Sequence, residues 1–247
     1  MPRLGTRKLY YLLKDSLKNI KVGRDKLFRI LKANHLLIIP KKSYHITTNS
    51  HHRFRKHKNS VCNLKINRPE QVWVSDITYV GRRENPIYLA LITDAYSKKI
   101  VGFNVSNSLS VVGSLKALDM ALKSRNYQEQ PLIHYSDRGL QYCSNDYQEL
   151  LNQNGIEASM TEKYDPYENA VAERINGILK QEFSIAKYNM GLKIKKQLIK
   201  ESIKIYNQER PHLSNYMLTP NQMHQQSKIE MKTYKSKKLN NDIIVQF

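Results

Sequence analysis

The chain has 247 residues, with 41 Lys and Arg against 21 Asp and Glu and a formal charge of +20 at pH 7. Its 40% apolar and 25% charged residues are ordinary for a globular protein and argue against a disordered one. No apolar run approaches the roughly 18–20 residues that a membrane span needs, so membrane insertion and secretion are not expected. Cys62 and Cys143 form no CxxC pair. Two cysteines so far apart in the sequence argue against a disulfide framework and against a thiolate zinc site. They favour a location in the reducing cytoplasm.

The positive charge is concentrated in the N-terminal quarter. Residues 1–68 hold 18 basic and 2 acidic side chains, a net +16, whereas residues 69–247 hold 23 and 19, a net +4. Such a block suits a polyanion, because each neutralised phosphate releases condensed counterions. Nucleic acid is therefore the expected partner. An RNA binder of the ribosomal type and a merely soluble surface are the alternatives that charge alone leaves open.

Two N-terminal segments resemble each other. The stretches GTRKLYYLLK from Gly5 and GRDKLFRILK from Gly23 share Gly, Lys, Leu, Leu and Lys in register. Apolar residues recur in both at helical spacing, with basic residues on the other faces. Over residues 1–39 this predicts a helix pair with a glycine-containing connection, which suits a helix-turn-helix. The DNA contacts expected of it are Arg24, Lys26 and Arg29. An ordinary lysine-coated helical hairpin fits the pattern equally well.

Residues 40–68 lack apolar periodicity and are rich in Lys, Arg, His and Asn, which predicts a basic linker. Its histidines and its cysteine occur at spacings that match no usual zinc finger, so no zinc site is expected. The linker is interpreted as an arm that follows DNA phosphates, with Arg53 and Arg55 as contacts.

Short β-rich runs follow Pro69. Three of them, separated by the turn-forming RRENP and YSKK, predict a three-strand meander. The next predicted elements are helix, strand, helix, strand and helix, in SVVGSLKALDMALKSR, PLIHYS, NDYQELLNQNG, IEASMT and a long segment from about Asp165. The order βββαβαβα indicates an α/β domain over residues 69–190, with a mixed five-stranded sheet and helices on both faces. Residues 191–247 are predicted to form a C-terminal helical extension and tail.

Three acidic residues stand out by their positions in this order of elements. Asp76 interrupts the first strand, Asp137 ends the fourth, and Glu173 lies in the last long helix, with 35 residues between it and Asp137. An aspartate within an apolar strand is costly unless it is solvated, paired or bound to metal. Taken singly, Glu173 fits an exposed helix position and Asp137 fits a turn in SDRG. Taken together, the three could converge at one edge of the sheet.

Glu173 is a better candidate than its neighbour Glu168. In YDPYENAVAERINGILKQEF, Asp165 suits the N-cap and Pro166 the first helical position. Glu168 then occupies the third position of a capping box, which would engage it with backbone amides. At 100° per residue, Glu173 lies on the polar face of the helix, opposite to the apolar residues.

The stretches VSDITYV, HYSDRGLQY and NAVAERINGILKQEF, in this order, resemble the catalytic core shared by retroviral integrases and bacterial insertion-sequence transposases. In particular, the chain is similar to the second-reading-frame (orfB-type) product of the orfA/orfB insertion sequences. The stretches GRDKLFRILKANHLL and YNQERPHLSNYMLTPNQMH add to this resemblance, which covers residues 2 to 224. Its departures are mild: Arg174 follows Glu173, and ERINGILK replaces a version richer in aromatic residues. The acidic triad is left intact.

The resemblance implies an RNase-H-like fold and a DDE transposase. Asp76, Asp137 and Glu173 would be catalytic and would bind two Mg²⁺ or Mn²⁺ ions. Lys180 matches the family's basic position against DNA phosphate, and Arg138 is a further candidate for contact with DNA. Carboxylates hold hard divalent ions, and two such ions can serve the nucleophile, the phosphorus and the leaving oxygen. The expected reaction is a nick at the element end that exposes a 3′-OH, followed by attack of this 3′-OH on a second phosphodiester.

Three other functions stay open at this level. A structure-specific nuclease of the same fold would hydrolyse DNA without joining it. A DNA-binding regulator would occupy element ends without chemistry, and an RNA-binding module would use the basic arm alone. The expected partners are double-stranded DNA, further copies of the chain and a product of the upstream reading frame, all in the cytoplasm at the nucleoid. Phosphate contacts do not distinguish one base from another, so no recognised DNA sequence is predicted.

Overall fold

The structure, a computed structural model, describes residues 1, 3–38, 57–61, 64–81, 84–161 and 170–225. Much of the predicted linker lies outside these ranges, as do Arg53, Arg55, Cys62 and the predicted capping box at residues 165–168. None of the helices within the described ranges is long and apolar enough to cross a membrane.

The described residues before the sheet form three short helices, where the sequence predicts two. Their bounds are Thr6–Leu12 (α1), Lys14–Asn19 (α2) and Arg24–Ala33 (α3). The segment between the two similar stretches is predicted to be a connection, but its first half is helical. The buried side chain of Leu17 stabilises α2 there. Lys21 ends α2 in the left-handed conformation, with a φ of 54°, and the Val22 N–H donates to the Leu17 carbonyl. This is a Schellman-type helix end in which a lysine replaces the usual glycine. The sequence therefore has no glycine that would indicate the end of this helix.

Five strands form one mixed sheet, as the sequence predicts. Their bounds are Val72–Tyr79 (β1), Tyr88–Asp94 (β2), Ile100–Ser106 (β3), Leu132–Ser136 (β4) and Ile156–Met160 (β5). The order across the sheet is β3-β2-β1-β4-β5. The first three strands form the predicted antiparallel meander, whereas β1 with β4 and β4 with β5 are parallel pairs. Parallel pairing brings the carboxyl ends of β1 and β4 to the same edge of the sheet.

The side chains of β1 lie alternately on the two faces of the sheet, because successive side chains of a strand point to opposite sides. Trp73 belongs to the apolar cluster on one face, where Leu118 and Tyr147 are among its fully buried partners. The helices on this face are α4 (Val111–Lys123), α5 (Leu140–Cys143) and α6 (Asn145–Gln153). Helix α5 has no counterpart in the sequence prediction, since four residues carry too little periodicity to indicate a helix.

The opposite face is covered by α7 (Ala170–Glu182), α8 (Leu192–Gln208) and α9 (Pro220–His224). Val72 and Val74 of β1 point to this face and pack with residues of the C-terminal segment, including Met223. Ile199 and Ile203 of α8 belong to the same apolar cluster as the central part of α7. The predicted helices on both faces are therefore confirmed, and the C-terminal extension contributes to the hydrophobic core.

A buried ion group joins the N-terminal helices to α7. Glu182, the last residue of α7, accepts hydrogen bonds from Arg210 Nε at 2.8 Å and from Arg210 Nη2 at 2.7 Å. Lys8 of α1 donates to the same carboxylate at 3.1 Å, and its side chain is only 12% exposed. Burial, followed by the positive charge of Arg210, lowers the pKa of Lys8, while Glu182 opposes the shift. This group ties α1 to the end of the helix that carries Glu173.

Lys8→Met should weaken this attachment and leave the core intact. Methionine keeps the apolar stem, and Glu182 keeps both hydrogen bonds from Arg210. We therefore expect the free energy of unfolding to fall by only about 0.5–1.5 kcal/mol. Lys14→Met, at an exposed position of α2, is the matched control and should leave the free energy of unfolding nearly unchanged. Urea denaturation measures both variants, and equal losses would contradict the role given to Lys8.

A second buried polar group, the Glu70 cluster, consists of Glu70, Asp94, Ser97 and His224. Glu70 lies just before β1, and Asp94 ends β2; both are fully buried. His224 of α9 lies between them, with Nε2 3.2 Å from Glu70 Oε1 and Nδ1 3.6 Å from Asp94 Oδ1. Asp94 also accepts hydrogen bonds from the Glu70 N–H and from the Ser97 N–H and hydroxyl. The cluster fixes α9 against the sheet.

Candidate active site

Asp76 and Asp137 lie next to each other on two neighbouring strands. In the parallel β1–β4 pair, Ser75 is the register partner of Ser136. The residues that follow them, Asp76 and Asp137, are therefore adjacent across the pair. Asp76 points to the face covered by α7, because Ser75 points to the other face. Asp137 directly follows β4, and its Oδ1 accepts a hydrogen bond from the Gly139 N–H at 3.0 Å.

Helix α7 supplies the third carboxylate. Asn176 Nδ2 donates to Asp76 Oδ2 at 2.6 Å and so holds the helix against β1. Glu173 precedes Asn176 by three residues and Lys180 follows it by four, which places all three on one side of the helix. The other side is buried against the sheet through residues such as Ile175. Helix α7 thus presents Glu173 and Lys180 along the edge that carries Asp76.

The charges of these residues influence one another. The pKa of Asp76 is raised to about 7, first by burial and then by the negative charges of Asp137 and Glu173. Burial also raises the pKa of Glu173. Burial lowers the pKa of Lys180, and the negative charge of Asp76 opposes that shift. The site therefore concentrates negative charge that the surrounding side chains compensate only in part.

The oxygen atoms at this edge suit a hard divalent cation. Carboxylate and amide oxygens are the ligands that such cations prefer, and Asn176 Oδ1 is buried without a hydrogen-bond partner among the described residues. A cation would also relieve the repulsion that raises the pKa of Asp76. Within the described ranges, no three His, Cys, Asp or Glu side chains already lie close enough together to hold a metal ion. The negative charge of Asp137 raises the pKa of Asp76 more strongly than that of Glu173 does, and the Glu173 side chain is exposed.

The predicted DNA contacts lie on different parts of the molecule. Two are half-buried and close to the carboxylates, Lys180 and Arg138. Three are exposed on α3, namely Arg24, Lys26 and Arg29. Two lie outside the described residues, Arg53 and Arg55. The structure brings only the first two to the candidate site.

Asn176 and Gly139 are site residues that sequence reasoning does not single out. A Cβ atom at position 139 would lie 2.9 Å from Asp137 Oδ1, so glycine permits the close turn after β4. The signal for Asn176 is its spacing of three from Glu173, which puts the amide on the same side of α7. Its partner Asp76 is 100 positions away, and no local pattern reveals that contact.

Most of the described core matches two known protein families. Residues 66–166 match a family described as an integrase core domain, and residues 154–220 match a second family with the same description. The solved catalytic core domain of HTLV-2 integrase, in complex with magnesium in a trimeric form, is 21% identical, with a TM-score of 0.51. That likeness covers 64% of this chain and 97% of that domain. It confirms the predicted RNase-H-like fold.

Relatives of this chain come from insertion elements. An uncharacterized 31 kDa protein of insertion element IS600 from Shigella sonnei is 39% identical over 213 residues, which cover 84% of this chain and 76% of that protein. The transposase for insertion sequence element IS629, also from Shigella sonnei, is 42% identical over 113 residues, 46% of this chain and 38% of that protein. The chain therefore belongs to the insertion-sequence transposases with an integrase core domain, enzymes that cut and join DNA.

Proposed function

We propose that Asp76, Asp137 and Glu173 carry out both the cutting and the joining of DNA at one site. In the first step, a water oxygen attacks the phosphorus at the element end, the bond to the 3′ oxygen breaks, and that oxygen leaves as a 3′-OH. In the second step, this 3′ oxygen gives its proton to solvent, forms a bond to a target phosphorus and displaces the target's 3′ oxygen, which takes up a proton from solvent and leaves as a hydroxyl. The observation that supports the proposal is that Asp76 and Asp137 directly follow the last paired residues of β1 and β4, with Glu173 near enough for its charge to raise the pKa of Asp76.

The three carboxylates would hold two Mg²⁺ or Mn²⁺ ions. When bound, these ions supply a more acidic nucleophile and stabilise the charge on the phosphorus and the leaving oxygen. The magnesium in the solved integrase core supports a divalent cation, and the number of two follows from the needs of the reaction. Asn176 occupies one oxygen of Asp76. That contact and a hydrogen bond from the Ile77 N–H fix the orientation of the Asp76 carboxylate.

Lys180 and Arg138 would bind the phosphates nearest to the reacting bond. Both are half-buried, and a cation in a less polar setting attracts a phosphate more strongly than one surrounded by water. Contacts farther along the DNA would come from α3 and the linker, through Arg24, Lys26, Arg29, Arg53 and Arg55. These outer contacts would make the affinity for DNA fall steeply with salt.

Joining an element requires both of its ends near one target, which favours a homo-oligomer on double-stranded DNA. A product of the upstream reading frame would complete the assembly with further DNA binding. Since the substrate is chromosomal DNA, the proposed location is the nucleoid in the cytoplasm. Analytical ultracentrifugation with and without element-end DNA would measure the number of copies in the complex.

Glu173→Gln should lower the rate of joining by about 10³-fold, the size of loss that follows removal of one electrostatic stabiliser of a transition state. Glutamine keeps the length of the side chain and its helical position, so DNA binding should change little. The matched control is Glu149→Gln, an exposed glutamate of α6, which removes the same charge elsewhere. The assay uses the full chain, Mn²⁺ and a labelled, pre-nicked element-end duplex, with products separated on a denaturing gel.

Joined products from the wild type and from Glu149→Gln, with none from Glu173→Gln, would support the proposal. Undiminished joining by Glu173→Gln would remove Glu173 from the site. Hydrolysis without joining would replace the transposase with a nuclease of the same fold. DNA binding without any chemistry, even by the wild type, would favour a regulator or show that a partner is needed, and preference for RNA would favour the RNA-binding module.

A further inference from the structure

A closed group of three polar side chains lies on the face of the sheet opposite to Asp76. Ser75 Oγ is 2.6 Å from His134 Nε2, and Tyr147 Oη is 2.9 Å from the same nitrogen. Each of the three residues is at most 1% exposed. They come from β1, β4 and α6, so the group, named here the His134 network, connects three elements around one nitrogen atom.

The His134 network is electrically neutral. Burial lowers the pKa of His134 to about 3, so its ring carries no charge at neutral pH. Burial also raises the pKa of Tyr147, whose hydroxyl therefore keeps its proton. Nε2 of a neutral imidazole is a single acceptor or a single donor, depending on the tautomer, and Ser75 and Tyr147 also hydrogen-bond to each other. Since none of the three groups ionises near pH 7, the charge of the network does not change with pH in that range.

The network lies beside the last paired residues of β1 and β4, next to the candidate site. β1 and β4 pair over four positions, the last of which joins Ser75 to Ser136. Asp76 and Asp137 come next, and like charges on adjacent strands repel. The hydrogen bond between Ser75 and His134 crosses the pair one residue before Asp76, where it opposes the separation of the strands. Tyr147 anchors His134 from the helix side.

We propose that His134 is a positioning residue which, through Ser75 and Tyr147, holds Asp76 and Asp137 at the separation that a divalent cation needs. The inference rests on the proposed function, since it requires these carboxylates to hold the cation. His134 itself touches neither the cation nor DNA, because it faces the opposite side of the sheet. Changes in the shell behind metal ligands typically weaken metal binding by about 10–100-fold.

Two tyrosines in the same apolar cluster provide a matched pair of variants. Tyr147→Phe removes a hydroxyl that contacts His134, whereas Tyr142→Phe removes a buried hydroxyl that has no hydrogen-bond partner among the described residues. The rings are neighbours, with centroids 5.4 Å apart. The Tyr142 hydroxyl also lies within electrostatic reach of Asp76 and Asp137. The comparison therefore separates the network from mere proximity to the carboxylates.

The experiment measures the thermal unfolding of the full chain as a function of Mn²⁺ concentration, starting from EDTA. We expect Tyr147→Phe to raise the Mn²⁺ concentration for half-maximal stabilisation by about tenfold, and Tyr142→Phe to match the wild type. Ser75→Ala should behave like Tyr147→Phe and keeps the test valid if the tyrosine variant folds poorly. The same shift should appear in the Mn²⁺ dependence of joining.

A purely structural role gives a different result. In that case Tyr147→Phe and Ser75→Ala would lower the melting temperature equally with and without Mn²⁺ and leave its half-maximal concentration unchanged, which would overturn the inference alone. A wild-type protein whose melting temperature does not respond to Mn²⁺ would overturn the proposed metal site and, with it, the inference. If Tyr142→Phe raised the half-maximal Mn²⁺ concentration as much as Tyr147→Phe, the effect would come from closeness to the carboxylates. The role proposed for the His134 network would then be rejected.

Discussion

Asp76→Asn should abolish DNA joining and, in the absence of metal, make the protein more stable at alkaline pH. The pKa of Asp76 is about 7 in the folded protein and 3.8 in its ordinary state. Between these values the unfolded chain releases a proton that the folded protein retains, so stability falls as pH rises from about 4 to 7. The full shift corresponds to about 4 kcal/mol, and partial access of water reduces it to about 2–3 kcal/mol. Asparagine carries no charge and avoids this loss.

Urea unfolding in EDTA at pH 5 and pH 8 measures the effect. The stability of Asp76→Asn relative to the wild type should increase by about 2 kcal/mol between the two pH values. Asp119→Asn is the matched control, because Asp119 is exposed on α4 and paired with Lys123 at 2.6 Å; it should show no such gain. Parallel pH curves for Asp76→Asn and the wild type would contradict the repulsion described for the site. A variant that is both more stable and inactive would indicate that the charged site trades stability for chemistry.

His224→Ala should lower the free energy of unfolding by about 3–5 kcal/mol at neutral pH. Burial alone would raise the pKa of Glu70 and Asp94, but hydrogen bonds, first of all that from His224, lower both. Burial likewise acts to lower the pKa of His224, and its bonds with Asp94 and Glu70 outweigh this and raise it. Alanine would take this partner away from both fully buried carboxylates, of which Glu70 keeps Arg125 Nε at 3.8 Å. Removal of one partner from a buried ion group is costly for this reason.

The charge explanation can be separated from loss of packing. Glu70→Gln added to His224→Ala should recover part of the lost stability, because it removes one of the two buried negative charges that lose His224 as a partner. His212→Ala provides a packing control: His212 is also buried, but burial lowers its pKa well below the ordinary value, and its ring packs edge-on against Tyr206 at 5.2 Å. His212→Ala should lower the free energy of unfolding by about 2 kcal/mol. A double variant no more stable than His224→Ala would refute the electrostatic account.

Much of the fold could be predicted because its signals are local. The meander follows from three β-rich runs and their turns, and the helices between later strands follow from apolar periodicity. The same reasoning fails at α2, where a lysine occupies the left-handed position that glycine usually marks. It also fails at α5, which is only four residues long. In both places tertiary contacts decide the local structure.

The sequence indicates which residues belong to the candidate site, whereas their spatial arrangement cannot be read from it. Asp76 attracts notice because it interrupts an apolar strand, and Asp137 because it ends one; the resemblance adds Glu173 and Lys180. The register that makes Asp76 and Asp137 neighbours is a property of the β1–β4 pair and cannot be read from either strand alone. The contact of Asn176 with Asp76 and the His134 network likewise join residues far apart in sequence. Such contacts leave no periodic signal.

The Glu70 cluster has a consequence for how the protein is made. Glu70 and His224 are 154 positions apart, so their contact closes a loop that contains the whole sheet, and contacts of such long range form late in folding. During synthesis, Glu70 and Asp94 leave the ribosome well before His224. A nascent chain would thus contain all five described strands before His224 reaches the two interior carboxylates. Completion of the fold, and with it the capacity to cut DNA, should wait until the C-terminal helices have been translated.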